Sequence, residues 1–339
     1  MRMQSQPDQL AGAELDSRAP AGPRLVPSTT DDDVQVEFSF LESRFRVRNA
    51  PREVERWLRG CWEIPQHPEQ STDWTVDVAF DTRAPWSLRP PHSELQTSLL
   101  DSGSITWRRH GDRWWSTSGV DSGLELRIFD ERARIRAWAD DIMRSSTVSL
   151  HVAICEALRA RGLVPLHAAV CVLDGHATAI VGQSGIGKST TLLSALEAGW
   201  LPLAEDCAWL DPRTQRVHAW AGERGVRLTY EGLHRVPTRW QLAGWKRQSD
   251  GKFFLPFDHI APSRPSSADL TRVLVLERDP ARASELEALK PRDATRALWE
   301  SAGVPLCRIS REAFTARVPL LLSRIQWARL VLGRGTPAF

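Results

Sequence analysis

The chain has 339 residues, of which 42% are hydrophobic and 25% charged, and a formal net charge of +2. This is the composition of a globular protein with room for two domains of ordinary size, each able to bury its own core. Near-balanced charge gives no reason to expect nucleic acid or an anionic membrane as partner, and no run approaches the ~18 apolar residues of a membrane helix.

Residues 1–33 combine Gln, Pro, Ala, Gly and Ser and end in Thr30-Asp31-Asp32-Asp33. With few large apolar groups to offset the entropy of ordering, they are expected to form a disordered tail. From Val34 the pattern changes. Val34–Phe40, Phe45–Arg48, Trp74–Phe80 and Leu124–Ile128 each alternate apolar and polar residues, the signature of half-buried strands. Residues 34–140 therefore read as a small β-rich domain. His67, His92 and His110 are isolated there and are expected in loops or on the surface. Cys61, Cys155, Cys171, Cys207 and Cys307 show no C-x-x-C pair and no zinc spacing. That pattern, with no basic-then-apolar leader visible, suits reduced thiols in a cytoplasmic protein. Fifteen tryptophans stand against one tyrosine, and core filling is their expected role.

Thr147–Leu158 places apolar groups at three- and four-residue steps and closes at Gly162, as a helix does. The second domain, residues 141–339, begins around this helix. Leu166–Leu173 and His176–Val181 are strand-like runs joined by Asp174-Gly175, a strong hairpin signal. The second run leads directly into Gly182-Gln183-Ser184-Gly185-Ile186-Gly187-Lys188-Ser189, a complete match to G-x-x-x-x-G-K-[ST]. Thr190–Ala198 is expected to be a helix capped by Gly199, and Trp200–Leu210 a strand. Val273–Glu277 reads as a short buried strand, and Arg292–Trp299 and Phe314–Val331 as helices.

The chemistry of the glycine loop is specific. Gly182, Gly185 and Gly187 let the backbone turn successive N–H groups of Ser184, Gly185, Ile186, Gly187, Lys188, Ser189 and Thr190 toward phosphate oxygens at a helix N-terminus. Lys188 can reach the β- and γ-phosphates of ATP, and the Ser189 hydroxyl can ligate Mg²⁺. One helix and one short strand later, Glu205-Asp206 return to the phosphate edge. One acid there can bind metal while the other accepts a proton from an attacking hydroxyl.

His167, the hairpin, the loop and this acidic pair together resemble the catalytic domain of HPr kinase/phosphorylase. The wider group of HPr-kinase-related proteins, including peptide-tailoring kinases, is similar over residues 163–211. The Leu-His pair of the family's strand stands here as Leu166-His167, followed by Ala168-Ala169-Val170, and its Asp-Asp pair as Glu205-Asp206. The resemblance implies an α/β fold of HPr-kinase/PEP-carboxykinase-like type. It further implies ATP-dependent phosphorylation of a serine hydroxyl, with His167 near the phosphates or the acidic pair. It makes the first acid the base, so either Glu205 acts or Asp206 has taken over. Gly225-Val226-Arg227-Leu228 and Asp250-Gly251-Lys252-Phe253 resemble segments that supply cations, making Arg227 and Lys252 candidates for phosphate contacts.

Motifs for guanine recognition, transporter ATPases and protein kinases are absent. The long signature that follows the acidic pair in sugar-regulation HPr kinases is missing too. The sequence thus favours a kinase for a peptide or protein hydroxyl, with the 34–140 domain as the place for acceptor recognition. A small-molecule hydroxyl kinase and a non-catalytic ATP-binding module remain as alternatives. HPr kinases are hexamers, so the resemblance leaves a homo-oligomer open.

Overall fold

The computed structural model describes residues 36–334 apart from 63–73, 82–93, 101–102, 111, 118–122, 130–131, 139–146, 221–224 and 242. The tail expected at 1–33, His67 and His92 lie outside the described residues. Strands β1 (Val36–Phe40) and β2 (Ser43–Arg48) are followed by α1 (Arg52–Trp62), then β3 (Trp74–Asp81), β4 (Glu94–Leu100), β5 (Gly103–His110), β6 (Arg113–Thr117), β7 (Gly123–Ile128) and β8 (Arg132–Trp138). They form an eight-stranded sheet in the order β1-β2-β3-β8-β7-β6-β5-β4, parallel at β2–β3 and β3–β8 and antiparallel elsewhere. Helix α1 carries no strand-like alternation. Val54, Leu58 and Trp62 recur at four-residue steps and are buried, which puts them on one face of the helix.

Helix α2 (Thr147–Ala160) packs on β7 and β8 and closes around Gly162. The core between this helix and the sheet is completed by Trp209, Leu306 and Cys307 from the later part of the chain.

The second half begins with β9 (Val164–Leu173), β10 (His176–Val181), α3 (Lys188–Glu197), β11 (Leu201–Ala204), β12 (Cys207–Asp211) and β13 (Arg216–Ala219). Then come β14 (Gly225–Leu228), α4 (Tyr230–Leu233), α5 (Thr238–Gln241), β15 (Lys246–Arg247), β16 (Phe253–Pro256) and α6 (Phe257–Ile260). The last elements are β17 (Ser267–Ala283), β18 (Glu285–Ala288), α7 (Pro291–Ala302), α8 (Arg308–Arg324) and β19 (Gln326–Arg334). The second sheet runs β10-β9-β12-β13-β17-β19-β18, with β11 on β9 and a further parallel pairing of β10 with β17. Strands β14, β16 and β15 make a small third sheet. One face of the second sheet is covered by α7 and α8; the other carries α3, the third sheet and α5. The architecture is mixed α/β.

Asp174 and Gly175 have φ of 51° and 81°, which is the pair of positive values a two-residue hairpin turn demands. Three expectations are corrected. Trp200–Leu210 is not one strand but two, β11 and β12, broken at Glu205-Asp206. Both still pair with β9, which receives Ala204 opposite Val170 and Cys207 opposite His167. The run Val273–Glu277, expected as a short buried strand, is the middle of the 17-residue β17, buried at Val273, Leu274 and Leu276 and exposed at Glu277. The helix expected over Phe314–Val331 ends at Arg324, and Gln326–Arg334 is instead a strand parallel to β17. Apolar residues at 320–322 and 325 fit a helical stripe, but Ala328 and Leu330 bury every second side chain against α3 and its neighbours. That tertiary pairing overrides the local pattern.

Candidate functional site

Strand β10 delivers the chain to the glycine loop, and α3 leaves from it. Gly187 caps α3 with a φ of 123°. A side chain there would be strained in any rotamer, and its Cβ would lie 3.3 Å from Leu332 Cδ1. The N–H of Thr191 donates to Gly187 O at 2.8 Å and starts the helical ladder. Gln183, Ser184 and Gly185 are exposed, and Ile186 and Gly187 partly so. Lys188 is buried and curls back over the loop, its Nζ donating to Gly182 O at 3.0 Å and Gln183 O at 3.3 Å. Thr190 lies one residue into the helix beyond Ser189, its carbonyl accepting from Ser194 Oγ.

The break between β11 and β12 sets the two acids apart. Glu205 is 7% exposed and accepts a hydrogen bond from Ser189 Oγ. Burial pushes its pKa up to about 7, reinforced by the neighbouring Asp206 charge and opposed by the Ser189 hydrogen bond, Arg227 and Lys188. Asp206 faces solvent and meets His167 Nδ1 at 3.1 Å. Burial alone would raise its pKa. The hydrogen bond and charge of His167, with Lys188 and Lys252, more than offset that and hold it below the ordinary carboxylate value. The N–H of Ala168 donates to Asp206 O at 3.1 Å, tying the bend to the β9 strand that carries His167.

One carboxyl is thus neutral or charged according to its surroundings, and its neighbour stays ionised. Divergent environments of this kind separate the roles of paired acids. Ser189 Oγ and the Glu205 carboxylate are hard oxygen donors. Mg²⁺ accompanying a nucleotide needs one or two such ligands, the rest coming from phosphates and water. No cluster of three or more His, Cys, Asp or Glu suited to a metal occurs among the described residues, and that mode of binding requires none.

Of the remaining candidates, one sits on the third sheet and one in the turn that leads into it. Arg227 on β14 is exposed, opposite Phe254, and its charge reaches Glu205. Lys252 follows a turn in which its N–H donates to Asp250 Oδ1 at 3.0 Å, and its charge reaches Asp206. One residue escaped the sequence reading. Arg278, on β17, donates through Nη2 to Ile186 O at 3.0 Å and so clasps the loop from outside. The signal available was an arginine two residues past the apolar run Val273–Leu276, on the strand beside β10.

Comparison with known proteins adds little. No protein-family model matches the chain, and no curated protein matches it. Among solved structures, the Hpr(Ser) kinase/phosphatase from Coxiella burnetii aligns with 50% of this chain and 85% of its own. The identity is 13% and the TM-score 0.25. Among the described residues, no helix is long and apolar enough to cross a membrane.

Proposed function

We propose that this protein is an ATP-dependent kinase that transfers the γ-phosphoryl group to a serine hydroxyl of a peptide or protein. The observation that carries the reading is the division of labour at the acidic pair. Glu205 is buried on Ser189 at the helix N-terminus, and Asp206 is open to solvent beside His167. Loop, lysine, hydroxyl and two differently poised carboxylates are the parts phosphoryl transfer uses. A purely nucleotide-binding module has no use for the second acid.

The loop N–H groups and Lys188 hold the triphosphate, Lys188 exchanging its carbonyl partners for phosphate oxygens. Ser189 and Glu205 are the residues that would hold Mg²⁺, which would supply positive charge against that of the phosphates. Asp206, ionised and fixed by His167, takes the proton of the acceptor hydroxyl. The freed oxygen attacks the γ-phosphorus in line, the bond from that phosphorus to the bridging oxygen breaks, and ADP leaves with the electron pair. Arg227 and Lys252 supply positive charge on the open side. The exposure of Asp206 and Ser184 suits a macromolecular acceptor better than a sealed small-molecule pocket. In this reading residues 34–140 bear on acceptor choice and 141–339 on chemistry.

The test is mass spectrometry of ATP·Mg²⁺ incubations with serine-containing peptides and, separately, hydroxylated small molecules. Phosphate on peptide serine supports the proposal. Label only on small molecules, or none on any acceptor with ADP formation unchanged in Asp206→Asn, overturns it.

A further inference from the structure

The face of the first sheet that points away from its core is built of arginines. Strand registers place Arg46, Asp77, Arg134, Arg127 and Arg113 side by side across β2, β3, β8, β7 and β6. The neighbouring row holds Arg48, Ala79, Arg136, Glu125, Trp115 and Arg108. Arg44 and Arg132 flank Thr75 in a third row. No lysine takes part.

Arg134, Arg127 and Arg113 stand directly opposite one another on adjacent strands, an arrangement that destabilises a sheet unless anions lie over it. Among the described residues the carboxylates answer only part of this charge: Glu37, opposite Arg46, lies 3.3 Å from Arg44. Asp77 lies 3.9 Å from Arg46 and 3.8 Å from Arg48, Glu125 lies 3.6 Å from Arg113, and Asp81 and Asp112 meet Arg136 and Arg127. Arg108, Arg132 and Arg134 are exposed and in no such pair among the described residues. Burial raises the Glu125 pKa, and the charges of Arg113, Arg136, Arg127 and Arg134 act against that rise.

We propose that this face docks an acidic peptide segment, rich in Asp and Glu, of the phosphate acceptor. The proposal rests on the kinase reading for the partner's role, but not for the binding itself. Carboxylates already engage the arginine forks here, so further carboxylates match the open ones in kind. The five strands from β2 to β6 span about 20 Å, the reach of about six extended residues. Single-stranded nucleic acid is disfavoured because it needs exposed aromatic faces for stacking. Trp115 and Trp138, the aromatic pair on this face, are packed on each other with 8% and 7% exposure.

The experiment is fluorescence anisotropy of the full chain with a fluorescein-labelled peptide of alternating Asp/Glu and Ser, about ten residues long. A serine-glycine peptide and an oligo(dT) of equal length serve as competitors. Binding that weakens with salt, and weakens about tenfold further in Arg108→Ser/Arg132→Ser/Arg134→Ser, is the expected result. Melting temperature and circular dichroism verify that the variant is folded. If the triple variant does not fold, competition on the native chain decides. No binding of the acidic peptide, equal binding by a folded triple variant, or stronger displacement by oligo(dT) than by unlabelled acidic peptide overturns the proposal. Because no ATP is present, failure here is separate from failure of the kinase reading.

Discussion

Ser189 and Glu205, sixteen residues apart, share a hydrogen bond at the N-terminus of α3, where β11 ends against the glycine loop. The contact puts a buried carboxyl where a helix dipole and Lys188 would welcome its charge, yet burial dominates and holds its pKa near 7. In the proposed function, this is the carboxyl that would meet Mg²⁺.

Glu205→Gln is therefore expected to lose phosphotransfer by at least about a hundredfold and to lose its thermal stabilisation by Mg²⁺·ATP. The same variant should be more stable than the native chain when no nucleotide or metal is added. An acid whose folded pKa is raised from 4.5 to about 7 binds more protons folded than unfolded, so stability falls as pH rises between those values. At pH 8 the neutral amide removes that penalty, roughly 1–3 kcal/mol, and the gap should close toward pH 4.5. Melting curves of both proteins across pH give the answer; a less stable variant at pH 8 refutes it.

The hairpin before the glycine loop and the helix after it were legible in the sequence because Asp174-Gly175 and Gly187 take the positive φ that a tight turn and the start of this helix need. The break at Glu205-Asp206 was not. Trp200–Leu210 is a nearly unbroken apolar run, and its bend comes from pairing with β9 on both sides of the acidic pair. Arg278 was hidden because β17 continues far past its apolar centre. The end of α8 at Arg324 is dictated by the parallel pairing of β19 with β17, a contact between segments about fifty residues apart that no local period records.

Asp206→Asn should keep ATP binding and lower the transfer rate about a hundredfold to ten-thousandfold, the range for losing a positioned base. His167→Ala should do less, because it removes the partner of the carboxylate and not the carboxylate itself. By removing the main influence that holds Asp206 low, it should also shift the acidic limb of the rate profile to higher pH. Steady-state rates from pH 3 to 9 for the three proteins test this. An unshifted limb in His167→Ala argues against Asp206 as the base.

Gly187→Ala probes backbone geometry alone. With φ of 123° and Leu332 Cδ1 at 3.3 Å from the new Cβ, the substitution should cost about 1–3 kcal/mol. It should also raise the apparent Kd for ATP. Arg278→Ala should raise that Kd by a smaller factor, about two- to fivefold, by freeing Ile186 O from its outer clasp. Isothermal titration with ATP·Mg²⁺ ranks the two; equal affinity across all three proteins would show that the loop needs neither feature.

Glu42, in the turn between β1 and β2, joins distant parts of the chain. It meets Arg161 Nη2 at 2.7 Å just after α2 and Arg213 Nη2 at 2.9 Å, and Arg213 in turn binds Asp211. Burial works against the Glu42 charge, but hydrogen bonds and charge from Arg161 and Arg213 prevail and hold its pKa below 4.5. The folded protein thus binds the proton more weakly than the unfolded chain. The resulting stabilisation is complete above pH 4.5 and disappears as pH falls through the lower folded value. Because Arg213 is 42% exposed while Arg161 is 8% exposed, the Arg161 contact should carry most of it. Glu42→Gln should cost about 1 kcal/mol at pH 7, with the difference from the native protein shrinking below pH 4.5. Urea unfolding of the pair at pH 7 and pH 3.5 reads this directly, and a gap that widens in acid would mean that Glu42 stabilises the fold through packing and not through its charge.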